Sequence, residues 1–300
     1  MKVIDAKTRV QLKNILFTTD FSSAANAALP YAADIARSYG AKLHLAHVYN
    51  PNLPGIYGME PPTGWGAVRD SAEEYAREQA ERLLEDLQGI EREVRIESGD
   101  IWAVLEEMIE ESKIDLIVLG TRGRTGLGKF LLGSVAETIF RKAPCPVLTV
   151  GPHSPAGPGL KGGFRRILLA TAFNPASAAA TPYAVSLAQE NDADLILLHV
   201  IEEPKPEELV QPAQLISAAQ RLLQQLVPED AEFWCKPEFL VEEGAPAEKI
   251  LEIAKRKKAD LIVLGVHPPR GPAGADTHLP MTTAHKVVSH APCPVLTVRG

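Results

Sequence analysis

Short apolar runs alternate with longer stretches of helical periodicity along the chain. In the first half, the apolar runs predict strands and the stretches between them predict amphipathic helices. The predicted strands are 14–19, 42–48, 93–97, 115–119 and 146–150, and the predicted helices are 22–39, 70–88, 101–112 and 134–142. Strands this apolar, separated by helices, predict a parallel sheet that is covered on both faces. With right-handed crossovers, this is a doubly wound, five-stranded α/β domain.

The ends and faces of two predicted helices can be read from the sequence. Ser22 or Ser23 can cap the first helix and Gly40 can end it, because these residue types suit N-caps and left-handed C-caps. The helix over 70–88 has a stripe at i, i+3 and i+4 spacing that predicts its core face. This stripe consists of Ala72, Tyr75, Ala76, Gln79, Ala80, Leu83 and Leu87. The preceding segment, 50–69, is a Pro/Gly-rich loop of a length that is usually functional or disordered.

The chain contains an internal duplication. Residues 15–48 align without a gap to residues 167–200. Further matches keep the same order: DLIVLG at 115–120 returns at 260–265, and APCPVLTV at 143–150 returns at 291–298. The segment 151–164 between the copies is rich in Gly and Pro, as linkers are. The sequence therefore predicts two tandem domains, 1–155 and 156–300.

Composition and charge exclude several classes of partner. The 300 residues carry a formal net charge of −7, so no general positive field attracts the chain to nucleic acid or to an anionic membrane. We expect no secretory leader and no spanning helix, because no apolar window approaches the required length of about 20 residues. A cytoplasmic protein with reduced cysteines is therefore expected. Cys145 and Cys293 precede the last strand of each repeat, where buried and inert thiols are expected.

A glycine-rich segment with three cations, 120–139, follows the fourth predicted strand and runs directly into a helix. Glycines let the backbone approach a ligand, and the start of a helix offers unpaired N–H groups to an anion. Ser134 is the predicted N-cap, and Glu137 three residues later completes a capping-box pattern. The alternative is a flexible loop before an ordinary capped helix.

Two general nucleotide-binding patterns do not fit this segment. The dinucleotide pattern G-x-G-x-x-G would have to follow the first strand, and it is absent there. The P-loop pattern matches from Gly123 to Lys129 but fails at Phe130, which has no hydroxyl for a magnesium ion. A P-loop NTPase is therefore not expected.

A third pattern fits in full: Gly120, two residues, Gly123, nine residues, Gly133 and Ser134, which is the ATP-binding signature G-x2-G-x9-G-[ST]. Together with ILFTTDFS, DLIVLGTRGRTG and PCPVLTV, it resembles the universal stress protein family over nearly the whole chain, as two tandem domains. The resemblance implies Rossmann-like or flavodoxin-like five-stranded domains. It also implies binding of ATP, or of AMP or ADP, with Mg²⁺ as a candidate companion.

The resemblance implies a binding site made by strand ends and a helix start. The implied phosphate neighbours are Gly120, Arg122, Gly123, Arg124, Gly133, Ser134 and Val135. Asp20 is implied near the ribose or adenine, with Thr18 and Thr19 beside it, and Val48 is implied to read adenine through its backbone. For Asp20 the alternative is an ordinary turn aspartate, and for the two arginines it is solvated loop charge.

The second copy of the motif is degraded. Ala172 corresponds to Asp20, and Pro268 replaces the second glycine of the loop. Proline lacks both the N–H donor and the backbone freedom of glycine. Met281 and Thr282 correspond to Gly133 and Ser134 in a loop that is three residues longer. We therefore expect the second domain not to bind ATP in the family manner.

The second loop also carries His267, His278 and Asp276, with His285 in the following helix. Their spacing matches no standard zinc signature, so no metal site is predicted. We expect no catalytic residues, and slow ATP hydrolysis at most.

The expected function is that of a nucleotide-dependent sensor or regulator in the stress response, with an unknown regulatory protein partner. One alternative is a related adenine-nucleotide α-hydrolase-like enzyme, such as an adenylating ligase, with 50–69 in its substrate pocket. Another is an interaction module that binds no nucleotide. By resemblance, strands 146–150 and 294–298 are expected to pair as an intramolecular pseudo-dimer, and association of two chains stays open.

Overall fold

The computed structural model describes residues 10–49, 65–85, 87–121, 132–155, 163–202, 212–228, 231, 235–267 and 282–300. The chain divides into two compact units. The N-terminal unit consists of Leu12–Gly128 and Leu132–Cys145, and the C-terminal unit includes Pro146–Gly300.

The N-terminal unit is a parallel sheet with helices between successive strands. Its strands are β1 (Asn14–Thr18), β2 (Lys42–Tyr49), β3 (Arg92–Ser98) and β4 (Leu116–Gly120). Its helices are α1 (Ser23–Asn26), α2 (Leu29–Tyr39), α3 (Trp65–Leu84), α4 (Ile101–Glu111) and α5 (Ser134–Lys142). The strand order is β3-β2-β1-β4, and every pair is parallel. The predicted doubly wound α/β architecture is therefore confirmed.

The C-terminal unit repeats this plan and includes the last strand of the first repeat. Its strands are β5 (Val147–Val150), β6 (Arg166–Thr171), β7 (Asp194–Ile201), β8 (Glu238–Glu243), β9 (Leu261–Val266) and β10 (Val295–Arg299). Its helices are α6 (Pro175–Asn191), α7 (Pro212–Gln224), α8 (Pro246–Lys257) and α9 (Thr283–His290). The order is β5-β10-β9-β6-β7-β8, with β5 antiparallel to β10 and the other pairs parallel.

The expected pairing of the two last strands is present in this order. Val295 lies opposite Thr149, and the hydroxyls of Thr149 and Thr297 donate to the carbonyls of Val295 and Val147 across the pair. All of these residues are buried, so the hydroxyl bonds satisfy polar groups that water does not reach.

The first predicted helix is interrupted, because α1 ends at Asn26 and α2 begins at Leu29. Pro30 lies in the first turn of α2, with no N–H to donate to the preceding turn, and such a residue is tolerated at a helix start. The predicted ends are correct, since the Ser22 side chain accepts from the Ala25 N–H and Gly40 takes a left-handed C-cap conformation.

Helix α3 begins at Trp65, so the last five residues of the predicted loop 50–69 are helical and the predicted loop was too long. Its core side is formed by Ala76, Ala80 and Leu84, all buried, whereas Tyr75 is exposed. The predicted stripe was therefore wrong at Tyr75, and it named the half-buried Leu83 where Leu84 is buried, because the core follows the i, i+4 row from Ala76. The remainder of the loop, 50–64, lies outside the described residues.

Candidate functional site

Three strand ends of the N-terminal unit meet at one edge of its sheet. The adjacent parallel strands β2, β1 and β4 end at Tyr49, Thr18 and Gly120. From β1 the chain crosses to β2 through α1 and α2, whereas β4 lies on the other side of β1. The winding therefore reverses between β1 and β4, and this is where open α/β sheets bind ligands.

The turn that follows β1 is held by its own side chains. The Thr19 hydroxyl accepts from the Phe21 N–H at 2.8 Å, and Asp20 Oδ1 accepts from the Ser22 N–H at 2.9 Å. Phe21 has a φ of 61°, in the left-handed region that bulky residues seldom adopt. These bonds hold the half-exposed Asp20 carboxylate at the end of β1.

A buried histidine on β2 supports this turn, and sequence reasoning missed it. Nδ1 of His47 lies 2.8 Å from the Thr19 carbonyl oxygen, and the ring centroids of His47 and Phe21 are 4.5 Å apart. Because a carbonyl only accepts, we assign the proton to Nδ1 as donor. His199 contacts the Thr171 carbonyl at 2.9 Å in the second copy. The histidine common to both repeats, before Val48 and Val200, was the available signal.

Val48 lies where β2 continues past the end of β1. The Thr19 N–H donates to the Ala46 carbonyl at 3.0 Å, and Thr18 is the last residue of β1 in register, opposite Ala46. Backbone polar groups alternate in direction along a strand, so those of Val48 face the same side as those of Ala46. They therefore face the crevice beyond β1, where the resemblance implies that adenine is read. Thr18 itself is buried within β1.

Gly120 ends β4 directly beneath α1. A Cβ at this position would lie 2.6 Å from the Ala24 carbonyl oxygen and 2.8 Å from the Ala25 Cα. In the second copy, a Cβ on Gly265 would lie 2.2 Å from the Ala176 carbonyl atoms. Helix packing against the strand end thus requires glycine in both copies, whether or not a ligand binds there.

The start of α5 differs from the predicted capping box. The N-cap is Gly133, not Ser134, and no side chain caps the helix. Ser134 is exposed in the first turn, and the Glu137 carboxylate pairs with Arg141 at 2.7 Å instead of reaching back to the cap. The chain enters the helix through the Gly133 N–H, which donates to the Thr121 carbonyl at 2.9 Å. The first-turn N–H groups of α5 therefore remain without a side-chain acceptor from the cap.

Four of the seven implied phosphate neighbours lie in the part of the chain that the structure describes. Gly133, Ser134 and the half-exposed Val135 form the beginning of α5, and Gly120 ends β4. The glycine and arginines of the implied loop, Arg122, Gly123 and Arg124, lie outside the described residues. The described part thus brings one helix start and three strand ends of the N-terminal unit to the same edge.

The second copy shows that the turn does not require the carboxylate. Thr171 accepts from the Phe173 N–H at 3.1 Å, and Phe173 has a φ of 55°, although Ala172 stands between them. The bond that Asp20 makes to the next N–H is replaced there, because the Asn174 N–H donates to the Ser177 hydroxyl at 3.1 Å. Asp20 makes the turn bond that the alternative predicts, while the second copy forms the same turn without a carboxylate.

Helix α9 of the second copy is capped by its own side chain. Thr282 is the N-cap, and its hydroxyl accepts from the His285 N–H at 3.2 Å. Nearby, the Asn174 amide nitrogen lies 3.3 Å from Nε2 of His267, which joins the β6–α6 turn to the end of β9. The site corresponding to the N-terminal crevice is therefore bridged by side chains of the protein itself.

Replacing Thr282 by alanine is expected to destabilise the C-terminal unit by about 1 kcal/mol, because the capping acceptor is lost. Ser134→Ala is the matched control at the corresponding position, and it should change stability by less than about 0.5 kcal/mol. Urea denaturation followed by circular dichroism measures both. Equal losses for the two variants would contradict the difference in capping.

The cysteines differ in their surroundings. Burial raises the pKa of the Cys235 thiol to about 11 and that of the Cys293 thiol to about 12, which removes the thiolate at neutral pH. Cys145 is only half-buried, so the expectation that it is buried was wrong. None of the three cysteines forms a disulfide bond.

Within the described ranges, no three histidine, cysteine, aspartate or glutamate side chains come close enough together to hold a metal ion. His267 and His285 belong to this part, whereas Asp276 and His278 lie outside it. Among the helices described, none is both long and apolar enough to cross a membrane.

Comparisons with known proteins agree across the length of the chain. The family model described as Universal stress protein family matches residues 11–151 and again 163–299. A universal stress protein of Mycolicibacterium smegmatis is 31% identical over 95% of this chain and 96% of its own. One from Mycobacterium tuberculosis is 26% identical over the same shares. A solved universal stress protein from Archaeoglobus fulgidus has the same fold, with a TM-score of 0.70, 22% identity and 97% and 99% of the two chains covered. With two full matches in tandem, the chain belongs to the universal stress protein family.

Proposed function

We propose that the N-terminal unit binds one adenine nucleotide, in the first place ATP, and that the protein acts as a nucleotide-dependent stress-response sensor or regulator. The observation that carries this proposal is the glycine N-cap of α5, which makes no side-chain hydrogen bond to the first-turn N–H groups of a helix start at the switch point of the sheet. A phosphate group supplies the missing acceptors.

The helix start has the chemistry that a phosphate chain needs. The N–H groups of the first turn of α5 point out of the helix, and the aligned peptide dipoles place partial positive charge at this end. Gly133 adds no side chain to compete with an anion. The signature that runs from Gly120 to Ser134 contains three cations, and we assign two of them, Arg122 and Arg124, to the phosphates.

The rest of the nucleotide is assigned to the ends of β1 and β2. Asp20 is a half-exposed carboxylate held by the Ser22 N–H, and it suits the hydroxyls of a ribose. The backbone groups of Val48 continue the edge of β2 past β1 and suit the polar edge of adenine. Thr19 holds the turn, and Thr18 forms the strand beneath it. Mg²⁺ would be held by the phosphates with Asp20 as an oxygen ligand.

The C-terminal unit is proposed not to bind ATP in this way. Ala172 stands at the position that corresponds to Asp20, so the carboxylate is missing. Thr282 caps the helix start. The contact of Asn174 with His267 spans the corresponding crevice. Among the described residues, the carboxylate is therefore missing, and the helix start and the crevice are occupied by contacts within the protein.

Calorimetric titration of the full chain with ATP tests the site and its number together. We expect saturation at one nucleotide per chain, and release of adenine nucleotide when protein purified without added ligand is denatured by heat. Two sites per chain would contradict the restriction to the N-terminal unit. No binding at millimolar ATP would contradict the proposed function.

Asp20→Asn is expected to weaken ATP binding about tenfold, because a charged hydrogen-bond partner is lost while the amide oxygen still accepts from the Ser22 N–H. The melting temperature without nucleotide should stay close to that of the wild type. Titration with ATP measures the effect, and Ala172→Asp is the matched control, expected to leave both affinity and the number of sites unchanged. If Asp20→Asn bound ATP with wild-type affinity, the proposed contact of Asp20 with the nucleotide would be wrong and its role would be structural only.

The rate of ATP hydrolysis and the release of pyrophosphate distinguish a regulator from an adenylating enzyme. We expect bound ATP to be hydrolysed slowly or not at all, and no pyrophosphate to be released. The regulatory protein partner and the association of two chains stay predictions, which pull-down with and without ATP and analytical ultracentrifugation address.

A further inference from the structure

A cavity lies in the C-terminal unit, at the edge of the sheet where β6, β7 and β8 begin. Its volume is about 500 Å³. It is lined by Arg166, Asp194, Ile196, Lys236, Glu238, Arg256, Lys257 and Lys258. These residues come from the starts of three strands, from the chain just before β8 and from the last turn of α8. The cavity thus lies at the edge of the C-terminal unit's sheet where its parallel strands begin, opposite the edge where they end. We refer to these eight residues as the basic cleft.

The basic cleft carries an excess of positive charge. Five of its side chains are cationic and two are acidic, in a protein whose formal net charge is −7. Lys257 pairs with Glu238, and Arg166 lies 3.8 Å from Asp194. Lys236 and Lys258 are exposed, and neither forms an ion pair with an acid in the part of the chain that the structure describes. The two lysines therefore supply charge that the protein itself does not neutralise there.

Arg256 is the fifth cation, and its partners lie outside the lining. Its guanidinium bonds Glu242 at 2.7 Å and Glu252 at 3.3 Å. These contacts hold the side chain in place at the end of α8. The backbone carbonyls at the end of α8 would repel an anion. Two of them already accept hydrogen bonds, because the Lys258 N–H donates to the Lys255 carbonyl and the Ala259 N–H donates to the Ala254 carbonyl.

The N-terminal unit offers a matched comparison, because the same edge exists there with a different charge. The corresponding residues are Asn14, Lys42, His44, Glu91, Glu93, Glu111, Ser112 and Lys113. Two of these are cationic and three are acidic, and burial lowers the pKa of His44. Lys42 is neutralised by Glu93 at 2.7 Å. The duplicated fold therefore does not itself require a basic cleft at this edge.

We propose that the basic cleft binds a small anion that carries two or more phosphate groups. The volume falls in the range of small-molecule sites. Ile196 is the one apolar residue of the lining, so the cleft lacks the aromatic and aliphatic anchors that dominate protein–protein interfaces. Several cations around one cavity favour a polyanion over a singly charged ligand, because each added charge strengthens the attraction.

This assignment separates the two copies by function. The N-terminal unit keeps the nucleotide signature, and the C-terminal unit has lost it but has gained positive charge at its other edge. The proposal does not depend on ATP binding, because no residue of the basic cleft belongs to the N-terminal unit.

The test is calorimetric titration of the full chain at low ionic strength with inorganic tripolyphosphate and, separately, with fructose 1,6-bisphosphate. The variants are Lys236→Gln with Lys258→Gln, and the charge-preserving pair Lys236→Arg with Lys258→Arg. Lys113→Gln is the matched control, since Lys113 has the same left-handed conformation after α4 that Lys258 has after α8. Lys236 and Lys258 are exposed, and melting temperatures report whether each variant folds.

We expect the glutamine pair to weaken binding of the polyphosphate about tenfold or more, since two charged partners are lost, and to leave ATP binding unchanged. The arginine pair should retain binding, and added salt should weaken it. Tighter binding of tripolyphosphate would indicate an inorganic polyphosphate as the ligand, and tighter binding of fructose 1,6-bisphosphate would indicate an organic phosphate ester. Unchanged binding in the glutamine pair, an equal loss in Lys113→Gln, or binding of acidic peptides but of neither phosphate compound would overturn the proposal.

Discussion

Gly265→Ala is expected to destabilise the C-terminal unit by about 3 kcal/mol, because the added methyl group overlaps backbone atoms that cannot rotate away. Its Cβ would lie 2.2 Å from the Ala176 carbonyl carbon and oxygen and 2.4 Å from the Ser177 nitrogen. Relief would require α6 to move away from the end of β9. Gly120→Ala should cost somewhat less, about 2 kcal/mol, because its nearest contact, with the Ala24 oxygen, is 2.6 Å.

Denaturation by urea, monitored by circular dichroism, measures these losses. Gly89→Ala is the control, because Gly89 has a φ of 77° but nothing within 4 Å of an added Cβ, so it pays only the left-handed backbone cost of about 1 kcal/mol. If Gly120→Ala and Gly265→Ala were no less stable than Gly89→Ala, the packing argument would be wrong. Loss of ATP binding in Gly120→Ala must be interpreted together with its stability.

Gly133→Asp is expected to weaken ATP binding at least thirtyfold, roughly 2 kcal/mol, while stability without nucleotide stays equal or rises by a few tenths of a kcal/mol. The new carboxylate caps α5 and accepts from its first-turn N–H groups. It also places negative charge where the phosphate chain is proposed to bind. Affinity and stability thus change in opposite directions, which simple misfolding would not produce.

Gly133→Ala separates the two causes. Alanine fits the φ of −63° and ψ of 153° at this position but neither caps the helix nor repels phosphate, so its effect on affinity should be far smaller than that of aspartate. Thermal melting with and without ATP, together with calorimetric titration, measures both quantities. Wild-type ATP affinity in Gly133→Asp would remove α5 from the proposed site.

The apolar pattern alone was sufficient for most of the fold. A strand that is buried on both faces, such as the one predicted over 115–119, needs apolar residues at nearly every position. Its apolar run therefore locates the strand to within a residue. The interruption between α1 and α2 was missed because the apolar spacing continues across it. The position of Tyr75 was missed because a stripe read at i+3 and i+4 leaves the exact core row open until the helix packs.

Some features of the candidate site could likewise be predicted from the sequence, and others could not. The glycines, Asp20 and Val48 follow strand ends in the sequence, and parallel strand ends must share an edge, so their proximity could be predicted. The capping of α5 could not, because Gly133 and Ser134 both suit an N-cap and the choice depends on the bond from the Gly133 N–H to Thr121. The supporting role of His47 depends on a contact between neighbouring strands.

By itself, the sequence determined the α/β class, the duplication, the family resemblance and the loss of the motif in the second copy, because each is a matter of residue type and order. Only the tertiary structure decided why Gly120 and Gly265 must be glycine, that α5 begins at Gly133 without a side-chain cap, and that cations from the start of β6, from the chain before β8 and from the end of α8 line one cleft. These properties arise from contacts between segments distant in the chain, and no local pattern of residues encodes such contacts.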